Sequence, residues 1–395
     1  MKAPKILLAS LLALSTAGVA QAQTTVHITG STAFRTATQT AILDMLQSGA
    51  SVGFVGSSYA GAGEAIIVGT TKSNSIPVTI KTYWSGSLGG ILTVSQQIPL
   101  ANFLSSSNTL SGGTNTAIAS PVFDSADIPE VCMADGWQNT SQYPTPILTA
   151  QTVGAVSFKF LKNKGAPAGL TNMTPLQAQA LWNHGSLPLS MWTGNSSDSN
   201  TLVYALGRDP DSGTRKTAFL EAGIQTFVSS LTPTIVVQYA PTNAGGLVTS
   251  KNTGAITSQG YWPPESVDNI SFPQGDGGYS SGGDLATAMG QTSPYIYVTY
   301  VGLSDASTAI GLGATELTYN GVTYSHTAAE NGPYTFWTFE QLDYLSTYGS
   351  TDANGKKVAD LLAQQIANEN LSGVGESLSS MTVTRSQEGG PVTPQ

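Results

Sequence analysis

Three short stretches of the chain combine glycine with hydroxyl residues in a way that suits anion binding. They are Gly30-Ser31-Thr32-Ala33-Phe34-Arg35, Ser85-Gly86-Ser87-Leu88-Gly89-Gly90 and Asp211-Ser212-Gly213-Thr214. Each follows a run that reads as a strand and precedes one that reads as a helix. Such a turn presents free backbone N–H groups and Ser/Thr hydroxyls at a helix N-terminus, where the helix dipole favours negative charge. An ordinary N-cap needs the same residue types, so a single turn of this kind is a weak signal. Arg208, four residues ahead of Ser212, strengthens it, because a guanidinium beside a helix N-terminus forms a clamp for phosphate or carboxylate. The plainer role for Arg208 is an ion pair with Asp209 or Asp211. A fourth stretch, Asp124-Ser125-Ala126-Asp127-Ile128-Pro129, supplies an acid. A carboxylate at an anion site makes sense where the ligand carries a proton that Asp127 accepts; otherwise Asp127 caps the segment that begins at Ile128.

Elements that could position these turns recur along the chain. Strands are expected over 25–28, 66–68, 78–83, 122–123, 153–161, 201–206 and 295–301. Helices are expected after residue 35, with Ala37, Ile42, Leu43 and Leu46 on one face, after residue 90, and after residue 214. Thr174-Pro175 gives a hydroxyl cap followed by proline at the first helical position. Further helices are expected over 339–345 and 358–366. Residues 241–283, rich in Gly, Ser, Asn and Pro, read as loops with little regular structure. Strands alternating with helices point to an α/β fold.

Composition narrows the function classes. The 395 residues carry 10% charged side chains, and glycine, serine, threonine and asparagine take their place at the surface. A net charge of −9 argues against nucleic acid, which requires a basic face. One cysteine, Cys132, excludes an intramolecular disulfide and a Cys-based zinc site, and three scattered histidines make a His-rich metal centre a poor expectation. Lys2 and Lys5, an apolar run over 6–20 and Ala20-Gln21-Ala22 have the pattern of a secretory signal over 1–22, too short and wrongly flanked for a membrane span. An exported protein without a membrane span in its mature part is the expectation.

Taken in order, the four stretches resemble those of phosphate-binding proteins of bacterial phosphate uptake systems, in the periplasmic substrate-binding protein superfamily. The likeness rests on Thr29-Gly30-Ser31-Thr32-Ala33-Phe34, Gly86-Ser87-Leu88-Gly89-Gly90, Ser125-Ala126-Asp127-Ile128-Pro129 and, most specifically, Arg208 through Ser212-Gly213-Thr214. Gly283-Asp284 and Asn331-Gly332-Pro333-Tyr334-Thr335-Phe336-Trp337 add to it. The resemblance implies an α/β, two-lobed class II fold, with lobe 1 from 23–155 and 296–395, lobe 2 from 156–295, and the strands 153–161 and 295–301 as hinge crossovers. It implies a ligand site of Ser31, Thr32, Phe34, Ser87, Asp127, Arg208, Ser212, Gly213 and Thr214 between the lobes. It further implies an oxyanion ligand, most simply phosphate, an ABC-type permease as partner, a monomer, and neither catalytic residues, cofactor nor metal. Ala33 departs from the family, which has a hydroxyl residue there; Ser31 or Thr32 is placed to replace that bond, and Arg35 to add one.

Two rival readings compete. Gly278-Tyr279-Ser280-Ser281-Gly282 matches a hydrolase nucleophile elbow, with Asp284 or Asp305 and then His326 in hydrolase order. That elbow requires a strand directly before it, and residues 272–277, with Pro273, Gly275 and Gly277, do not form one. A secreted adhesin would suit the Gly/Ser/Thr/Asn content but calls for nearly all strand. The aromatic group Tyr334, Phe336, Trp337 and Phe339 reads as core packing, Cys132 as an inert thiol and His184 as a helix-end residue.

Overall fold

The computed structural model describes residues 23–110, 115–224, 236–267 and 270–395. The signal expected over 1–22 lies outside the described residues. No helix among those described is long and apolar enough to cross a membrane.

A 13-stranded mixed sheet runs through the molecule, with helices packed on it. One half is centred on three parallel strands, Pro77–Tyr83, Thr24–Gly30 and Val131–Asp135. Their inward residues are apolar and fully buried, as strands covered by helices must be: Val26, Ile28, Val78, Ile80, Val131 and Met133. The other half is centred on the parallel pair Leu202–Ala205 and Ile296–Gly302. The 15-residue strand Leu148–Lys162 joins the halves. Its first part, through Ser157, pairs antiparallel with Trp337–Leu345, and its last part, from Phe158 to Lys162, pairs with Ile296–Gly302. At ~3.3 Å per residue such a strand is about 50 Å long, enough to serve both halves.

The expected crossover at 153–161 therefore lies within a strand that spans the two halves. The expected second crossover does not. Ile296–Gly302 pairs with Leu202–Ala205 and the far end of Leu148–Lys162, and so stays in the second half. The chain returns through Trp337–Leu345, which lies between Val131–Asp135 and Leu148–Lys162. Residues 339–345, expected to be helical, are thus a buried strand. Opposite Glu340 and Gln341 the register skips Val153, so the bulge lies in Leu148–Lys162. Within Trp337–Leu345 itself, Phe339, Leu342 and Leu345 stand three apart, a spacing that imitates a helix face.

Local signals are otherwise followed. Thr174 forms a capping box with Gln177, Pro175 takes the first helical position, and the helix Pro175–His184 ends at Gly185 in a left-handed conformation. His184 is exposed at that end. The loop-like region 241–283 holds short strands, among them Tyr239–Asn243 paired with Ser258–Tyr261. Residues 122–123 form no strand; Phe123 makes an isolated bridge to Leu104. One apolar core extends through both halves, from Val26 and Ile28 to Phe160, Trp182, Val203 and Phe219. Tyr334 and Phe336 sit inside it, Phe336 stacked on Phe160 at 4.6 Å, and Trp337 packs edge-on to Phe339. The aromatic group is packing, as its composition suggested.

Candidate functional site

Ser31, Ser87 and Asp135 stand at or just past the carboxyl ends of the first half's parallel strands, the side on which open α/β sheets hold their ligands. Ser31 is fully buried; its Oγ accepts the Phe34 N–H at 3.0 Å and donates to Asp135 Oδ1. Phe34 is the N-cap of the helix Arg35–Asp44. Ser87 opens the helix Ser87–Ser95, and its Oγ accepts the Asp135 N–H at 3.0 Å. From the second half, Ser212 caps the helix Gly213–Glu221 by accepting the Arg215 N–H at 3.2 Å. Thr214 Oγ1 donates to Asp135 Oδ2 at 3.2 Å. Gly213 packs so tightly that a Cβ there would lie 2.8 Å from Asp135 Cβ and closer still to Ser87 Oγ. Gly86, at φ 91°, is equally constrained, since a Cβ would meet the Asp211 carbonyl at 2.6 Å. Three helix N-termini thus converge on one buried residue, Asp135, with Ser31 and Thr214 on its carboxylate and Ser87 on its N–H.

Arg208 faces this cluster from the second half and is 2% exposed. Its Nε donates to the Tyr279 carbonyl at 2.9 Å, and its Nη2 donates to the Ser280 carbonyl at 2.9 Å and to Thr32 Oγ1 at 3.3 Å. The Arg208 carbonyl is itself fixed by Arg215 Nη1 and Gln238 Nε2, each at 3.0 Å, and Arg215 is locked to Asp276 at 2.7 Å. A guanidinium held this way is set before any ligand arrives, so little of its binding is lost to ordering. Arg35, at the start of its helix, and Arg208 act on the same acid, Asp305. Burial raises the Asp305 carboxyl above its usual range, and Arg208 and Arg35 oppose that. Burial depresses Arg35, Asp305 counters, and Arg208 depresses it further. Arg208 also acts on the buried Asp209, and Glu64 acts on Arg35, so the two cations sit among several acids.

Of the residues singled out in the sequence, Ser31, Thr32, Phe34, Ser87, Arg208, Ser212, Gly213 and Thr214 come together. Asp127 does not. Its carboxylate bonds to Lys81 Nζ at 3.3 Å and to His27 Nε2 at 3.1 Å, and its backbone forms a bridge with Leu100. His27 lies three residues before Gly30, so Asp127 sits about 10 Å down the strand from the site. The acid in the site is Asp135. A signal for it existed: Val131-Cys132-Met133-Ala134 is an apolar run that ends in Asp135-Gly136, a buried strand with an acid at its carboxyl end. A strand at 122–123, which the structure lacks, would put the acid at Asp127 instead.

The hydrolase constellation does not assemble. The Ser280 carbonyl serves Arg208, Ser281 caps the helix Gly282–Gly290, Asp284 accepts the Ser250 N–H, and His326 bonds Tyr324 and Glu376. Cys132 is buried, and burial raises its thiol well above the usual value, with Asp343 and Glu340 adding to the effect.

No protein-family model and no curated protein matches the chain. Among solved structures, it is similar to a Clostridium perfringens protein, provisionally described as a phosphate ABC transporter substrate-binding protein and solved with bound phosphate. That pair shares 13% identity over 89% of this chain and 99% of the other, with a TM-score of 0.49. An ABC-type phosphate transport receptor from Vibrio cholerae is 13% identical over 86% of this chain and 96% of its own, with a TM-score of 0.45. CrgA, a LysR-type transcriptional regulator from Neisseria meningitidis, is 9% identical over 87% and 69% of the two chains, with a TM-score of 0.32. Transport and regulatory proteins stand side by side among these likenesses, and none assigns a ligand to this chain.

Proposed function

We propose that this chain is an exported solute-binding protein that captures an oxyanion, inorganic phosphate first, between the two halves of its sheet and delivers it to an ABC-type permease. One observation carries the reading. Hydroxyls from both halves, Ser31 and Thr214, donate to the buried Asp135 carboxylate, Ser87 holds the Asp135 N–H, and the fixed guanidinium of Arg208 reaches Thr32 beside them. The halves hold each other there directly, with Leu88 N–H on the Asp211 carbonyl at 3.0 Å and Thr214 on Asp135. A ligand that enters must part the halves, take over the hydroxyls and Arg208, and then allow the halves to close on it. Asp135 then accepts a hydrogen bond from the ligand's own proton, as Asp127 was expected to do. Phosphate near neutral pH carries such a proton and sulfate carries none, so sulfate meets an unrelieved like charge. Competition titrations of phosphate and sulfate on wild-type and Asp135→Asn protein test this. The wild type should take phosphate and ignore sulfate, and the variant should admit both. A folded Asp135→Asn protein with unaltered preference removes Asp135 from the site.

A further inference from the structure

Behind Asp135 lies a second acid for which the anion site has no direct use. Glu340 is Asp135's register partner across the antiparallel pair Val131–Asp135 and Trp337–Leu345, so both side chains leave the same face of the sheet. Glu340 is 0% exposed and Asp135 1%. No hydrogen-bond donor among the described residues reaches either Glu340 oxygen, while its carboxyl stands within hydrogen-bonding reach of Asp135's. The charged and titratable groups facing it are Asp135 and Cys132 on one neighbouring strand, Asp343 on its own, and Lys216 on the helix Gly213–Glu221. Lys216 is committed elsewhere: its Nζ bonds Glu388 at 3.0 Å and the Trp137 carbonyl and Thr140 Oγ1 at 3.1 Å each. Neither Asp135 nor Glu340 has an ion-pair partner among the described residues.

Two carboxyl groups buried side by side without a counter-ion cannot both ionise, so they hold one proton between them. Both Asp135 oxygens already accept from hydroxyls, Ser31 on one and Thr214 on the other. The proton therefore resides on Glu340, which donates. Burial, the Asp135 charge and Asp343 all raise the Glu340 carboxyl well above its usual range, with Lys216 opposing. We infer that Glu340 is a specificity-determining residue: as a neutral acid hydrogen-bonded to Asp135 it keeps the floor of the anion site at a single negative charge. This rests on the reading of Asp135 as the acceptor of a protonated oxyanion. While Glu340 holds its proton, the pair accepts the ligand's proton. Once Glu340 ionises, two charges confront the anion and binding fails.

Glu340→Gln tests the inference, because glutamine keeps the shape and a donor toward Asp135 but cannot ionise. Infrared spectra of the ligand-free protein at neutral pH should contain a protonated carboxyl stretch that Glu340→Gln lacks and Asp343→Asn retains. Phosphate affinity, titrated from neutral into alkaline pH, should fall further in the wild type than in Glu340→Gln, by roughly tenfold or more, as expected for a second charge a few ångströms away. The ionisation of phosphate itself is common to both proteins. Glu340→Met, uncharged and of similar volume, serves the same comparison if the glutamine variant does not fold. An unchanged carboxyl band in Glu340→Gln, or coincident pH profiles, overturns the inference. Absence of phosphate binding by either protein, with the band present, overturns the site reading and the specificity role while leaving the shared proton in place.

Discussion

Asp127 and Asp135 show how much depends on which acid stands at a strand's end. Asp127 is paired with Lys81 and His27 and its side chain is 26% exposed. Asp127→Asn should therefore leave the phosphate-over-sulfate preference untouched and cost about 1 kcal/mol of stability or less, as for other partly exposed ion pairs. Altered selectivity in that variant would place the ligand near His27 instead. Asp343 makes a different point. Burial pushes its carboxyl up to about 7, with Lys216 opposing, and no donor among the described residues reaches its oxygens. The folded protein thus retains a proton that the unfolded chain releases at about pH 4. Stability declines as pH rises through that window and levels off above about 7. Asp343→Asn removes the decline, so thermal melts at pH 5 and pH 8 should differ less in the variant than in the wild type. Parallel melts in the two proteins would show that Asp343 is not held neutral.

At the scale of elements, the glycine–hydroxyl turns were legible because such a turn between a strand and a helix marks a helix N-terminus. Gly30-Ser31, Gly86-Ser87 and Ser212-Gly213-Thr214 each sit at such a junction in the structure. Two elements were not legible, for reasons that can be named. Trp337–Leu345 is buried on both faces, so it shows no polar alternation, and Phe339, Leu342 and Leu345 fall three apart in it as they would on a helix face. Val131–Asp135 is a five-residue apolar run, and its importance comes from pairing with Thr24–Gly30, more than a hundred residues away. Gly213 ties an element to the site. Gly213→Ala should keep the helix, since alanine is the better helix former, yet its Cβ would drive Ser87 and Asp135 apart. Overpacking of this kind costs about 1–3 kcal/mol. Phosphate binding should weaken roughly five- to a hundredfold while far-UV circular dichroism stays unchanged. Wild-type affinity in this variant would mean that the halves do not close on the ligand at Gly213.

For the whole molecule, Leu148–Lys162 and Trp337–Leu345 run side by side where the halves meet, and any opening must be absorbed along them. The overall charge of −9 does not oppose anion capture. Surface carboxylates beyond a Debye length of about 8–10 Å are screened, while Arg208 and the helix N-termini act at contact. Binding should therefore depend on Arg208 far more than on ionic strength. A calorimetric titration of the folded protein with phosphate, repeated with sulfate and on Arg208→Ala, tests this most directly. One charge-assisted hydrogen bond is worth about 1.5–3 kcal/mol. The account predicts saturable binding of one phosphate per chain, no competition from sulfate, and a roughly ten- to hundredfold loss in Arg208→Ala. Absence of saturable phosphate binding, or undiminished binding by a folded Arg208→Ala protein, would contradict it.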